Sequence, residues 1–379
     1  MRLLGVAMCV GAAVSLAAAQ PAAAPPPVRE TEAAARRLIE KGARYLIAAQ
    51  DEEGGWASQR GPGVTALCAK ALIQTPDVGT DHPAVRRAVA FVLKHQRDDG
   101  GIYSAEGMLK NYESSVALSM LSALGVERHR NRIDRLQAFL IANQWDESED
   151  IARDNPWYGG AGYGSGKRPD LSNTQMMLDA LHDSGLPKDH PAYKKALVFI
   201  QRCQMLGESN DQPYARGSTD GGFIYSPANL GESKAGQVET GGREELRTYG
   251  SMTYAGFKSM LYAGLTRDDP RVRAALDWIG RHWTLDYNPN MPEAQSKQGL
   301  FYYYHTFGRA LAAWGEDVVR DKLGREHRWR EELVAKLAAL QSQDGSWVNE
   351  ADRWMEGLPA LTTAYSMLAL QAAFPPRSD

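Results

Sequence analysis

Six pairs of segments alternate along the chain, each pair consisting of an amphipathic segment, a glycine-rich turn and a segment that is apolar nearly all round. The first segments place apolar residues at helical spacing beside a charged face, as in "VRRAVAFVLK", which predicts helices that cover a core on one side. They end in "YLIAAQ", "AFVLKHQ", "QAFLIANQ", "VFIQRCQ", "LDWIGRHW" and "KLAALQ", that is, near Gln50, Gln96, Gln144, Gln201 to Gln204, His282 and Gln341. These segments are therefore predicted to form an outer layer.

The second segments are rich in small and apolar residues on all sides, which predicts helices buried on both faces. They read "VTALCAKAL", "SSVALSMLSAL", "NTQMMLDAL", "MTYAGFKSML", "YHTFGRALAAW" and "TTAYSMLAL". Each has a Ser or Thr near its start that suits an N-cap or a first helical turn, namely Thr65, Ser115, Thr174, Thr253, Thr306 and Thr363. No segment of any length shows the two-residue period of a strand, so the chain is predicted to be all-α.

Six hairpins of this kind cannot bury their apolar faces alone, so they must stack, and closing six into a ring leaves no unpaired end. The stretches "LIAAQDEEGGW" and "LAALQSQDGSW" repeat Gln-x-x-x-Gly-x-Trp at Gln50 to Trp56 and Gln341 to Trp347. This signature resembles the repeat of the squalene cyclase and protein prenyltransferase superfamily, over about residues 32–374, and in particular its uncharacterised secreted bacterial members. The resemblance implies an α/α toroid with a central cavity, in which the repeated Gln and Trp are structural.

The N-terminal residues have the layout of a secretory signal peptide, with a basic tip, an apolar run from Leu3 to Ala19 and small residues before a proline-rich stretch. We expect residues 1–24 to be signal peptide and leader, 25–31 a Pro-rich linker, and 32–379 a single toroid domain with a long insertion at 205–248. The exported protein would reside in the periplasm or outside the cell. An uncleaved N-terminal anchor is the alternative, and a connection as long as 205–248 is usually either functional or disordered.

Charge and cysteine content narrow the function classes. The chain has 43 Lys and Arg against 46 Asp and Glu, a net charge of -3, with no long run of either sign, so nucleic acid is not an expected partner. Beyond the predicted signal peptide only Cys68 and Cys203 remain. They form neither a disulfide framework nor a paired zinc motif, although an oxidising compartment permits one disulfide bond between them. No cofactor and no metal is expected.

The inner helices of such a ring run parallel, so their N-termini meet at one rim of the cavity, where partial positive charge and unpaired N–H groups favour an anionic or carbonyl-bearing ligand. We take three residues near these starts as catalytic candidates: Glu113, Asp170 and His305. The candidate substrate contacts are Tyr112, Trp157, Tyr158, Asn173, Tyr249, Ser251, Tyr303, Tyr304 and Thr362. For each aromatic residue the alternative is simple packing, for Glu113 and Asp170 helix capping, and for His305 a satisfied core histidine.

The family chemistries can be compared residue by residue. The proton-donating Asp-x-Asp-Asp-Thr stretch of squalene-type cyclases resembles "DLSNT", which keeps Asp170 and Thr174 but has Ser172 and Asn173 in place of the later acids. The prenyltransferase zinc ligands correspond to His305 in "YHTFG", with Tyr249 and Ser251 standing where the Asp and Cys would be. One ligand does not hold zinc, so a zinc prenyltransferase is excluded.

Three functions remain open. The leading hypothesis is a terpenoid cyclase-like toroid whose cavity binds an apolar or isoprenoid-like ligand. The second is a carbohydrate-active hydrolase or lyase, with Glu113 and Asp170 as acid and base and with Trp157 and Tyr304 as stacking platforms. The third is a non-catalytic binding or scaffold module.

Overall fold

A computed structural model describes residues 28–164 and 166–375. Within this part the chain forms twelve α-helices. They are α1 (Val28–Ala48), α2 (Pro62–Ile73), α3 (Pro83–Leu93), α4 (Lys110–Ala123), α5 (Arg130–Ala142), α6 (Leu171–Asp183), α7 (Pro191–Cys203), α8 (Gly250–Tyr262), α9 (Pro270–Arg281), α10 (Leu300–Trp314), α11 (Trp329–Leu340) and α12 (Pro359–Ala373). The predicted signal peptide and leader lie outside the described residues, and residues 28–31 of the predicted linker are already part of α1.

The even-numbered helices contact one another in cyclic order, α2 to α4, α6, α8, α10 and α12, and α12 packs back against α2. We call them the inner helices and the odd-numbered ones the outer helices. All twelve residues of α2 are buried, whereas α3 buries only Ala84, Val85, Ala88, Phe91 and Val92 along one stripe. The mostly helical fold is confirmed, and the apolar pattern separates the two kinds of helix correctly.

Two short antiparallel strand pairs depart from the all-helical prediction. β1 (Gln237–Thr240) pairs with β2 (Arg243–Leu246), and β3 (Val319–Arg320) pairs with β4 (Glu326–His327). The first pair lies in the 205–248 insertion, which is also tied to the ring: the backbone N–H of Ile224 donates to Cys203, and Phe223 is fully buried. The pairs are two to four residues long, too short for strand periodicity to be read from sequence.

The repeated glutamine clamps five of the six outer helices to their turns, and four of the five glutamines also contact the next outer helix. The Nε2 of Gln144 donates to the carbonyl of Gly159 in its own turn and to that of Ala192 in α7, at 2.8 and 3.0 Å. Gly159 has a φ of 82°, and a Cβ there would lie 1.8 Å from the Lys195 carbonyl oxygen, so only glycine fits. The same double contact recurs from Gln50 to Gly54 and Ala84, from Gln204 to Gly221 and Arg271, and from Gln341 to Gly345 and Leu38. The last of these joins the final outer helix to the first.

The recurring Ser and Thr residues do not cap the inner helices, which begin several residues earlier. Instead the hydroxyls of Thr65, Thr174 and Thr253 accept backbone N–H groups just after the glycine turns, at 3.0 to 3.1 Å. In the second hairpin this role falls to Ser114 rather than Ser115. The pattern therefore marks a turn-to-inner-helix contact that repeats along the chain.

Replacing Gln144 by leucine is expected to lower the free energy of unfolding by about 1–3 kcal/mol, because two buried carbonyls lose their only side-chain donor. Urea unfolding would measure the change. Gln295→Leu, at an exposed position, is the matched control and should stay within about 0.5 kcal/mol of the parent. Equal stabilities of the two variants would contradict the clamp.

Cys68 and Cys203 are both buried and free, so no disulfide links them. Of the described residues, no cluster of three or more His, Cys, Asp and Glu side chains could hold a metal ion. In the described ranges, 28–164 and 166–375, no helix has both the length and the apolar character of a membrane-spanning segment.

Candidate functional site

A cavity of about 340 Å³ opens at the N-terminal ends of five inner helices, α4, α6, α8, α10 and α12. Six tyrosines line it: Tyr112, Tyr163, Tyr225, Tyr249, Tyr302 and Tyr365. Five apolar side chains also line it, namely Leu109, Met252, Trp354, Met355 and Leu361. Its polar side chains other than the tyrosines are Ser172, Lys234, Ser251 and Glu356. Three of the predicted contacts, Tyr112, Tyr249 and Ser251, thus lie on one wall, as the convergence of helix starts predicts.

The tyrosine hydroxyls on this wall are neutral at physiological pH. Burial raises the pKa of Tyr112 to about 12, and it raises the pKa of Tyr302 further above its ordinary value. The hydroxyls of Tyr112 and Tyr365 lie 3.3 Å apart, and that of Tyr302 is 2.9 Å from Ser172 Oγ. The tyrosines therefore offer aromatic surface with uncharged hydrogen-bonding groups.

The expected unpaired N–H groups are largely absent from the helix starts. The backbone N–H of Asn173 in α6 donates to Asp170 at 2.8 Å, and that of Ser251 in α8 donates to Asn288 Oδ1 at 2.9 Å. In α10 the N–H of Tyr302 donates to Glu356 at 2.7 Å. These three N–H groups are therefore already used by the protein and are not available to an anionic or carbonyl-bearing ligand.

Glu356 is a cavity residue that the sequence did not reveal. Its carboxylate accepts the N–H groups of Phe301 and Tyr302 and the Nδ2 of Asn349 at 2.7 Å. Burial raises its pKa to about 7, against the lowering effect of those hydrogen bonds. It stands just before α12 in sequence but caps α10, so no local pattern could have assigned it.

Asp170 caps α6 behind the cavity wall. It is 1% exposed and accepts the N–H and the Nδ2 of Asn173 at 2.8 and 2.9 Å. Burial raises its pKa to about 6, opposed by hydrogen bonds from Asn173 and from Tyr225. Of these three residues only Tyr225 lines the cavity, so Asp170 is connected to the cavity wall through its hydrogen-bond partners and does not face the cavity itself.

Asp170→Asn should flatten the pH dependence of stability. A carboxyl whose pKa rises from 3.8 to about 6 on folding favours the folded state at low pH, and this contribution is lost as pH rises through 6. Between pH 4 and 7 the unfolding free energy of the parent should therefore fall, relative to that of the variant, by up to about 3 kcal/mol. Urea unfolding across this range tests it, with the exposed Asp81→Asn as control; parallel pH profiles for parent and Asp170→Asn would contradict it.

The other two catalytic candidates lie away from the cavity wall. Glu113 accepts the backbone N–H of Ser104 at 2.8 Å, and burial raises its pKa. His305 stacks on Tyr365 with ring centroids 5.4 Å apart and lines a separate interior space of about 20 Å³. Burial, together with Arg309 and Lys258, holds the pKa of His305 well below its ordinary value, so the ring is neutral.

The remaining predicted contacts make protein contacts rather than lining the cavity. The hydroxyls of Tyr158, Tyr303 and Tyr304 donate to Glu147, Thr284 and Leu285 at 2.7 to 2.8 Å. Trp157 packs edge-on against Trp145, Thr362 donates to the carbonyl of Trp347, and Asn173 is held by Asp170. None of these six residues is among the residues that line the cavity.

A network of buried and partly buried charges lies deeper between the inner helices. It comprises Lys70, Asp179, Asp183, Lys258 and Arg309, and we call it the interior charge network. Lys258 is 2.6 Å from Asp179, Lys70 is 2.7 Å from Asp183, and Arg309 bonds both carboxylates at 3.2 and 2.9 Å. The sequence signal was available for four of them, since Lys70, Asp179, Lys258 and Arg309 are each the only Asp, Glu, Lys or Arg of an inner segment, whereas Asp183 follows its segment at the end of α6.

No protein-family model matches the chain, and no curated protein matches it. Several solved structures do match the chain. A variant of the type II terpene cyclase MstE from Scytonema, in complex with geranylgeranyl dihydroxybenzoate, matches with a TM-score of 0.56 and 13% identity over 92% of this chain and 99% of that one. The chain shares the fold of a type II terpene cyclase.

Two further solved structures share the fold. A polysaccharide lyase matches with a TM-score of 0.55 and 12% identity over 90% of this chain and 97% of its own. A protein from Actinoplanes matches with a TM-score of 0.53 and 17% identity over 90% and 99% of the two chains. At these identities the likeness establishes a terpenoid cyclase-like toroid fold and leaves function to the site.

Proposed function

We propose that this chain is an exported α/α toroid of six helical hairpins that binds an apolar or isoprenoid-like ligand in its tyrosine-lined cavity. The observation that carries the proposal is the chemistry of the cavity wall, whose exposed surface is mainly aromatic and aliphatic although its tyrosines, serines, Lys234 and Glu356 each carry a polar group. Each CH₂ that such a wall removes from water contributes about 0.8 kcal/mol to binding. The proposal is also in keeping with the shared fold, since one matched protein, MstE, holds a prenylated substrate.

Both charged side chains on the wall already have protein partners. Lys234 pairs with Glu232 and lies 4.5 Å above the ring of Tyr225, while Glu356 caps α10. A strongly anionic or cationic ligand would have to compete with these contacts, at the cost of leaving a buried charge unpaired. An uncharged ligand needs no such exchange.

The carbohydrate alternative finds less support in the same geometry. Its acid and base, Glu113 and Asp170, are both engaged in local hydrogen bonds and do not appear among the described residues that line the cavity. Its stacking platforms, Trp157 and Tyr304, pack elsewhere. A saccharide also presents many hydroxyls, and this wall has few groups free to satisfy them.

Calorimetric titration of the purified chain with farnesylacetone, a C18 isoprenoid ketone, tests the proposal. We expect saturable binding with a negative heat-capacity change, the mark of apolar surface leaving water. Maltohexaose serves as the comparison ligand and should give no heat of binding. Saturable binding of the saccharide without binding of the isoprenoid would overturn the proposal.

A further inference from the structure

A chain of three hydrogen bonds connects the interior charge network to the cavity wall. Lys258 Nζ donates to Gln175 Oε1 at 2.6 Å, and Gln175 Nε2 donates to the Tyr302 hydroxyl at 3.0 Å. The Tyr302 hydroxyl in turn lies 2.9 Å from Ser172 Oγ. Lys258 and Gln175 are completely buried, whereas Tyr302 and Ser172 line the cavity.

The ammonium group of Lys258 sets the direction of this chain. Because an ammonium can only donate, the amide of Gln175 must turn its oxygen toward Lys258 and its nitrogen toward Tyr302. The Tyr302 oxygen therefore accepts, and its own proton is left for Ser172 or for the cavity. If Tyr302 donates to Ser172, the Ser172 proton is free instead, so in both arrangements the chain ends in an O–H donor facing the cavity.

Lys258 is itself held in place. Its Nζ lies 2.6 Å from Asp179, and Asp179 also pairs with Arg309 at 3.2 Å. A fixed cation at one end of a hydrogen-bonded chain polarises each bond along it, and this strengthens the donor at the other end. The donor is thus oriented before any ligand arrives.

We propose that the Lys258–Gln175–Tyr302–Ser172 chain recognises an uncharged acceptor oxygen, a carbonyl or an ether, on an otherwise apolar ligand. This inference rests on the proposed function and refines it by naming the polar group of the ligand. A buried donor that is left without a partner costs free energy, so an analogue that lacks the oxygen is discriminated against. Ser172 and Tyr302 are binding residues in this account, and Lys258 and Gln175 are positioning residues.

Two isoprenoid probes test the recognition of the oxygen. Farnesylacetone carries a ketone, which only accepts hydrogen bonds, and β-farnesene carries no polar group. The parent chain should bind farnesylacetone at least about tenfold more tightly than β-farnesene, which is about 1.4 kcal/mol. The ratio of the two dissociation constants is the quantity to compare between variants.

Gln175→Glu reverses the direction of the hydrogen bonds in this chain, and a glutamate side chain has nearly the same shape as a glutamine. A carboxylate at this position accepts from both Lys258 and Tyr302, so the Tyr302 proton turns away from the cavity. Ser172 then donates to Tyr302 and presents lone pairs to the ligand, and the preference for the ketone should fall to about onefold or reverse. Tyr302→Phe, which removes the hydroxyl without adding a charge, should also lower the preference. Gln295→Glu, on the surface, should leave the preference unchanged.

The outcomes separate the two proposals. Equal affinity of the parent for both probes, or an unchanged preference in both Gln175→Glu and Tyr302→Phe, would overturn the recognition of an acceptor oxygen while leaving an apolar cavity in place. If neither probe binds the parent, the proposed function itself fails, and this inference fails with it. A preference that is lost in both variants and kept in Gln295→Glu supports it.

Discussion

Lys258→Met is expected to lower the free energy of unfolding by about 3–5 kcal/mol, because it removes one partner of a buried ion pair. Lys258 is fully buried, 2.6 Å from Asp179 and 2.6 Å from Gln175. Without it, Asp179 keeps only Arg309, which it already shares with Asp183. Chemical denaturation monitored by circular dichroism would measure the loss.

The matched control is a surface pair. Lys336 pairs with Asp286, whose side chain is 73% exposed, so Lys336→Met should cost no more than about 1 kcal/mol. Similar losses in the two variants would show that the interior charge network is not held between the inner helices as described. The comparison separates burial from charge, since both variants remove one lysine.

Leu361→Trp is expected to weaken binding of farnesylacetone by about 100-fold or more, equivalent to about 2.8 kcal/mol. Leu361 is buried in the first turn of α12 and lines the cavity. The larger indole would therefore fill part of the cavity volume that the ligand needs. Because the added volume enters an open cavity rather than a filled core, the cost in stability should be small. Titration calorimetry and thermal unfolding of the same sample measure both quantities.

Leu340→Trp makes the same exchange at the exposed end of α11 and should leave binding unchanged. Undiminished binding by Leu361→Trp would place the ligand outside the tyrosine-lined cavity. Loss of binding in both variants would point instead to a general effect of the added tryptophan.

Much of the fold could be predicted from the sequence because helices follow from the local spacing of apolar and polar residues. The amphipathic and apolar segments assigned outer and inner helices correctly, and the glutamine motif marks a contact made within its own turn. The two strand pairs and the start of α1 at Val28 were missed, since short strands and helix ends depend on contacts that no local pattern encodes.

The candidate site was only partly predictable, for a related reason. Helix starts that converge on one rim follow from the ring, and this brought Tyr112, Tyr249 and Ser251 to the cavity. Which side chain faces the cavity, however, depends on the rotation of each helix: Tyr302 lines it, whereas Tyr303 and Tyr304 point to backbone carbonyls. The role of Glu356 depends on a contact with α10 that is distant in sequence.

The central claim is that the cavity holds an apolar ligand, and native mass spectrometry of the chain purified from its own host tests it most directly. We predict a complex heavier than the chain, whose extra mass is lost on extraction with organic solvent and is absent from Leu361→Trp. The extract should contain an isoprenoid-like molecule with an uncharged oxygen. An extra mass that remains in the aqueous phase and fits a saccharide would contradict the account.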